Sequence, residues 1–269
     1  MTIDWKKERD MKINASITDF PFYTSLETFF KEFKAAGVDG IELVIGAKTW
    51  HLQHALALSK KYQLPIASLH QSIWSGLGFG MDEWFLKNVR EHEIHIIVLH
   101  PLVFTTFTSD RMKRYFDRVS RLQKKYDITF CLENMPKEKI YQQLYTPPYQ
   151  TKVAHLQKIY DIATHYNFGV TYDISHALFT KPQEEMSFKN IFPKIKNIHL
   201  SSFQGQIEHL PLDTGDFAAK EFLRFLKAQN YKGLLTFEIN YSLFKRMVAK
   251  YDFFEVQRSV KIVKDIIDK

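Results

Sequence analysis

The chain has 269 residues, 45% of them apolar and 25% charged, with 37 Lys and Arg against 30 Asp and Glu, for a formal net charge of +7. That composition belongs to a globular protein with enough apolar side chains for a large core; it excludes a disordered chain, and no run nears the roughly 20 apolar residues that cross a bilayer. The lone Cys131 excludes an internal disulfide and any cysteine-rich zinc site, so a metal here is held mainly by His and carboxylate.

In chain order, short β-branched or apolar runs recur, each followed by a longer segment with apolar residues at helical spacing. The runs are "MKINASI" (11–17), "GIELVIG" (40–46), "PIASLHQ" (65–71), "IHIIVLHP" (94–101), "ITFCLENM" (128–135), "GVTYDIS" (169–175), "IKNIHLSS" (195–202) and "GLLTFEIN" (233–240). The intervening segments predict helices: "SLETFFKEFKAAG", "TWHLQHALALSKKYQ", "DEWFLKNVREH", "DRMKRYFDRVSRLQKKY", "QTKVAHLQKIYDIATHY", the short "FKNIFP", "FAAKEFLRFLKAQ" and the final "FFEVQRSVKIVKDIIDK". Eight strand–helix units predict an α/β protein, a (β/α)8 TIM barrel occupying residues 1–269 as one domain, with a doubly wound open sheet as the alternative. The non-helical pieces at 72–80, 101–108, 134–149, 203–215 and 241–251 all follow strands, which in a barrel puts them on the catalytic face.

Alternation along a strand then orders the polar residues. His70, His100, Glu133, Asp173, His199 and Glu238 lie at or near the ends of the last six runs. Each follows a bulky residue (Leu69, Leu99, Leu132, Tyr172, Ile198, Phe237), and two places earlier stands a smaller or more polar one (Ser68, Val98, Cys131, Thr171, Asn197, Thr236). One register thus appears six times: bulky side chain toward the helices, small one inward, then a possible metal ligand inward at the rim. Taken singly, each polar residue is explained as a hydrogen-bonded strand end. Together, three histidines and three carboxylates buried at one rim call for a divalent cation, because unpaired buried charge is very costly. Oxygen and nitrogen ligands in this mixture suit zinc, manganese, iron or cobalt. By contrast His51, His54, His155 and His165 fall on helices, and His92 and His95 at the opposite end of the barrel. His176 and His209 are expected on loops leaving the catalytic face.

"LENMP" in the fifth run, "YDISH" in the sixth, "HLSS" and "HLPLDTGDF" around the seventh, and "FEIN" in the eighth resemble the xylose isomerase-like TIM-barrel superfamily. That superfamily includes sugar and sugar-phosphate isomerases and epimerases and the endonuclease IV group of AP endonucleases (AP endonuclease family 2). The resemblance implies that Glu133, Asp173, His199 and Glu238 form the central metal site. In the epimerase branch Glu133 and Glu238 exchange a proton with the carbon beside a carbonyl, the metal stabilises the enediolate, and His176 contacts substrate. In the endonuclease branch His70 and His100 join Glu133 around another metal, and His176 and His209 belong to a third. One to three ions are therefore implied.

The departures bear on the branch. The endonuclease pattern has an Asp two residues before His209, where this chain has Ile207 with Glu208 adjacent, and its strand-one Gly-Ala-His-Val-Ser type run is replaced by "INASI". Ketose epimerases have an Arg immediately before the His209 position and a Glu six residues after Glu133; here those places hold Glu208 and Lys139.

The first expectation is a metal-dependent isomerase or epimerase acting on a sugar or sugar phosphate, with catalytic Glu133, Glu238 and His176 and metal ligands drawn from His70, His100, Glu133, Asp173, His176, His199, His209 and Glu238. Lys139, Trp74 and Asn14 are its candidate substrate contacts; a solvated lysine is the favoured reading for Lys139 and a strand-end hydrogen bond for Asn14, while for Trp74 a subunit contact is an equal one. The second is an endonuclease IV-like phosphodiester hydrolase acting on DNA, which fits the four further histidines and a basic pI near 9.2. A third is a non-catalytic metal-binding barrel. A cytoplasmic protein without membrane association, possible as a homodimer, is expected throughout. The aromatic and basic segment "YSLFKRMVAKYDFF" is left as lid, oligomer contact or packing.

Overall fold

The computed structural model describes residues 11–17, 24–45, 50–71, 83–102, 108–135, 155–180, 188–205, 207–239 and 251–268. The barrel strands are β1 (Lys12–Ile17), β2 (Gly40–Ile45), β3 (Ile66–Gln71), β4 (Ile96–Leu99), β5 (Thr129–Glu133), β6 (Gly169–Asp173) and β7 (Ile195–Leu200). A small hairpin of β8 (Ser202–Gln204) and β9 (Ile207–Leu210) follows, and then β10 (Leu234–Phe237) completes the set. The parallel strands close in the order β1-β10-β7-β6-β5-β4-β3-β2, so the expected (β/α)8 barrel is the observed fold. The open-sheet alternative is excluded, because β1 pairs with both β2 and β10 and leaves no edge.

The helices are α1 (Leu26–Ala36), α2 (Trp50–Tyr62), α3 (Glu83–Glu91), α4 (Asp110–Tyr126), α5 (His155–Tyr166), α6 (Ile174–Thr180), α7 (Phe188–Ile191), α8 (Ala219–Ala228) and α9 (Phe253–Ile267). Their ends follow local chemistry. Ser25 and Ser109 cap α1 and α4 by accepting from Thr28 N and Met112 N, and Gly37 ends α1 at φ 81°, a conformation that costs glycine nothing. Helices α1 and α9 meet through Phe29, Phe33, Tyr251 and Phe253, whose rings pack edge to face or tilted, and so join the first and last units of the barrel. No helix among the described residues is long and apolar enough to cross a membrane.

The core lies between barrel and helices. Leu69, Leu99, Leu132, Ile198 and Phe237 point into it and are fully buried, while Tyr172 packs half-buried at its edge. The inner side is polar by comparison: Ser68, Thr171, Asn197 and Thr236 are buried outside that apolar cluster.

Two local expectations are corrected. His176 lies in the first turn of α6, not on a loop, because Asp173 caps a helix that starts as soon as β6 ends. His209 lies on β9 of the hairpin, in a segment read as a loop; its pairing with β8 is antiparallel, local and only a few residues long, too short to give a periodic signal. Trp74, Lys139 and residues 241–250 lie outside the described residues.

Candidate metal centre

The rim of the barrel gathers polar side chains from strands that are far apart in sequence. Glu133 closes β5 and is almost wholly buried; its Oε2 lies 3.1 Å from His70 Nε2 and 2.9 Å from His100 Nε2. Its Oε1 lies 3.2 Å from His199 Nδ1 and 3.5 Å from His176 Nδ1. His199 Nδ1 is also 2.7 Å from Glu238 Oε2 and 3.6 Å from Asp173 Oδ2. Three carboxylates therefore surround one ring nitrogen, which has a single proton to give.

Asp173 has a divided role. Its Oδ1 accepts from His176 N at 2.6 Å and from Ser175 Oγ at 2.9 Å, capping α6, which leaves Oδ2 toward His199. Asn134 braces it from β5: its Nδ2 donates to Asp173 O at 2.9 Å and its Oδ1 accepts from Asp173 N at 2.8 Å. Across the mouth the rings of His176 and His209 meet edge to face at 5.2 Å. His209 holds φ 57°, a left-handed backbone that a non-glycine residue adopts at a cost of about 1 kcal/mol or more. Gly215 in "LDTGD" explains itself sterically, since at φ 76° a Cβ there would stand 2.4 Å from Phe203 O.

Burial and charge oppose each other throughout. Desolvation would raise the Glu133 carboxyl, but His199 together with hydrogen bonds from His100, His199 and His70 holds it well below the usual carboxylate range. Glu238 and Asp173 are likewise lowered against the pull of burial, chiefly by His199 and by His176 respectively. His199 is raised well above the ordinary imidazole value, burial being outweighed by Glu42, Glu238 and Glu133. His176 rises to about 9, as Asp173 and Glu133 overcome its desolvation. His100 goes the other way, its burial prevailing over Glu133.

The donor set fits a divalent cation. Two groups have ligand atoms that all lie within 4.8 Å of one another: His70, Glu133, His199 and Glu238, and separately Asp173, His176 and His209. Asp173 Oδ2 and Glu238 Oε2 are buried without an aligned hydrogen bond, and no Lys or Arg is buried among the described residues to neutralise them. This grouping differs from the expected one. His70 joins the central carboxylates, Asp173 falls with the two rim histidines, and His100 stands beside Glu133 outside both groups. Asn14 is buried mid-strand, paired in register with Thr236 and Gly40, a layer below Glu238.

The xylose isomerase-like TIM barrel profile matches residues 30–254, most of the chain. The chain belongs to that family. Among proteins similar to this family member is the "Uncharacterized protein MJ1188" of Methanocaldococcus jannaschii, 23% identical over 189 residues, or 68% of this chain. The matched region spans 64% of that relative's length. Among solved structures, a D-tagatose 3-epimerase-like protein superposes with TM-score 0.64 at 19% identity, covering 96% of this chain and 97% of that one. An AP endonuclease, family 2, from Brucella melitensis superposes with TM-score 0.60 at 13% identity, covering 86% and 93%. Both likenesses are of fold, and they lie on opposite sides of the choice between isomerase and hydrolase.

Three residues of this site escaped the sequence reading. Glu42 on β2 is fully buried and faces His199, and Asn134 and Ser175 brace Asp173. Glu42 pairs in register with Ser68 and stands two places before Val44, so the strand alternation applied to β3 onward finds it when extended to β2. Asn134 gives no such signal, because its bonds to Asp173 run between strands, and the role of Ser175 depends on α6 starting directly after β6.

Proposed function

We propose that this protein is a divalent-metal-dependent isomerase or epimerase acting on a sugar or sugar phosphate. The observation that carries this reading is the pair Glu133 and Glu238, which come from β5 and the end of β10 and converge on His199 Nδ1 at 3.2 and 2.7 Å. Two carboxylates facing each other across one cavity suit the removal of a proton from one face of a carbon and its return to the other. His70, Glu133, His199 and Glu238 would hold the cation, with Asp173 Oδ2 close by. When bound, such an ion polarises substrate oxygens and offsets the negative charge that develops next to a carbonyl. His176, with its Nδ1 against Asn134 O at 2.8 Å, is poised at the mouth to orient substrate. The epimerase-like neighbour supports this assignment at the level of fold.

The second ligand group favours a second reading. Asp173, His176 and His209 could hold a further cation, as an endonuclease IV-like hydrolase requires, although the position two before His209 is Ile207, 60% exposed and without a ligand atom.

The deciding experiment incubates the metal-loaded protein in D2O with a panel of ketoses and ketose phosphates and, separately, with an abasic-site duplex. Deuterium entering the carbon beside the carbonyl, with no strand cleavage, is the expected result. Strand cleavage with two or three metals per chain by elemental analysis and no exchange overturns the isomerase assignment.

A further inference from the structure

Below the rim, one carboxylate belongs to neither ligand group. Glu42 is fully buried, its Oε2 accepting from Ser68 Oγ at 2.8 Å and from Asn197 Nδ2 at 2.9 Å. Asn197 is itself oriented, because its Oδ1 accepts from Thr236 Oγ1 at 2.8 Å, which turns its amide nitrogen toward Glu42. Four strands thus fix one oxygen of Glu42. The other, Oε1, faces His199 Nε2 at 3.1 Å without an aligned hydrogen bond, and neither atom has a hydrogen-bond partner elsewhere among the described residues. The opposite ring nitrogen, Nδ1, faces Glu238, Glu133 and Asp173.

We propose that Glu42 is a positioning residue that keeps the His199 proton on Nε2 and so presents Nδ1 to the cation site as a lone pair. The inference rests on the reading of the rim as a divalent-cation site. A neutral imidazole carries one N–H, and the nitrogen that keeps it is set by the partner it finds. With a cation engaging the three carboxylates on the Nδ1 side, the remaining carboxylate oxygen, Oε1 of Glu42, can only accept and so selects the Nε2–H form of the ring. Being wholly buried beneath His199, Glu42 acts through that ring and has no access to substrate.

The isosteric change Glu42→Gln separates this role from packing. With its oxygen held by Ser68 and Asn197, the glutamine turns its NH2 toward His199 Nε2; a donor there requires a lone pair on Nε2 and drives the proton to Nδ1, the nitrogen the cation needs. Zn2+ affinity of the full chain, measured by competition with a chromophoric chelator, is expected to weaken about 10- to 100-fold in Glu42→Gln. Glu42→Asp, which keeps an acceptor-only group, should recover part of the loss. A second readout uses the wild-type protein, so it stands even if the variant does not fold: 15N NMR of the Zn2+-loaded chain, with His199 assigned by its absence in His199→Gln, should show the proton on Nε2. A proton on Nδ1, or Glu42→Gln binding Zn2+ within threefold of wild type, overturns the positioning role alone. Wild-type protein that binds neither Zn2+ nor Mn2+ overturns the cation reading and this inference with it.

Discussion

His176 shows how much a single side chain at the rim depends on its neighbours. Its value is raised from an ordinary 6.5 to about 9, because Asp173 and Glu133 outweigh the penalty of burying its charge. The folded state therefore holds this proton more tightly than the unfolded chain. The resulting stabilisation, on the order of 3 kcal/mol, is fully present below about pH 6.5 and is lost as pH rises through about 9. Urea titrations in chelator across that window should show wild type losing its advantage over His176→Gln; parallel pH profiles would count against the pairing with Asp173. For the proposed catalytic pair, Glu133→Gln and Glu238→Gln keep shape but remove a base, so turnover should drop by at least 10³-fold, within the span general acid–base catalysis covers, with circular dichroism unchanged. Activity within a few-fold of wild type in either variant would remove that assignment. At this scale much was legible. The inward position at a strand end picks out Glu133, Asp173, His199 and Glu238, because alternation is a property of the backbone. It does not reveal that Asp173 Oδ1 is already spent on Ser175 and His176 N, since that follows from where α6 begins.

Among the elements, the join between β6 and α6 has the most to lose. Asp173 is both helix cap and rim carboxylate, and its two oxygens divide the work. Asp173→Asn keeps a good cap and should cost less than about 1 kcal/mol of stability while weakening cation binding; Asp173→Ala should lose both, with about 1 kcal/mol more taken from the helix start. Thermal melts read beside chelator competition separate the two effects, and equal melting of the two variants would argue against the capping role. Asn134 ties the ends of β5 and β6 through both backbone groups of Asp173. Asn134→Ala leaves those groups buried and unpaired, so a loss of about 1–3 kcal/mol is expected in urea unfolding. The β8–β9 hairpin was not legible in advance: its strands are only three and four residues long, too short for a periodic signal, and the close approach of Gly215 to Phe203 O beside it is a tertiary contact.

At the scale of the whole molecule, the candidate cation site lies where strands from along the chain converge, so occupancy should stabilise the fold as a unit. A ligand that binds only the folded state at 100 times its dissociation constant contributes about 2.7 kcal/mol, which for a chain of this size raises Tm by about 5–10 °C. Zn2+ or Mn2+ added to chelator-treated protein should produce that rise, and Glu133→Gln should blunt it; an unchanged melting curve would argue against a site formed by folding. The sequence by itself determined eight strand–helix units of an α/β protein, because apolar runs alternating with helical segments leave few ways to bury both faces of each strand; closure into a barrel rather than an open sheet was decided by the pairing of β1 with β10. Only the tertiary structure decided which of the polar residues at the strand ends share a cavity floor. Closing the barrel brings Glu42 of β2 beneath His199 of β7 and sets His70 beside the paired glutamates, because distances across a closed barrel depend on strand register and tilt and not on separation along the chain.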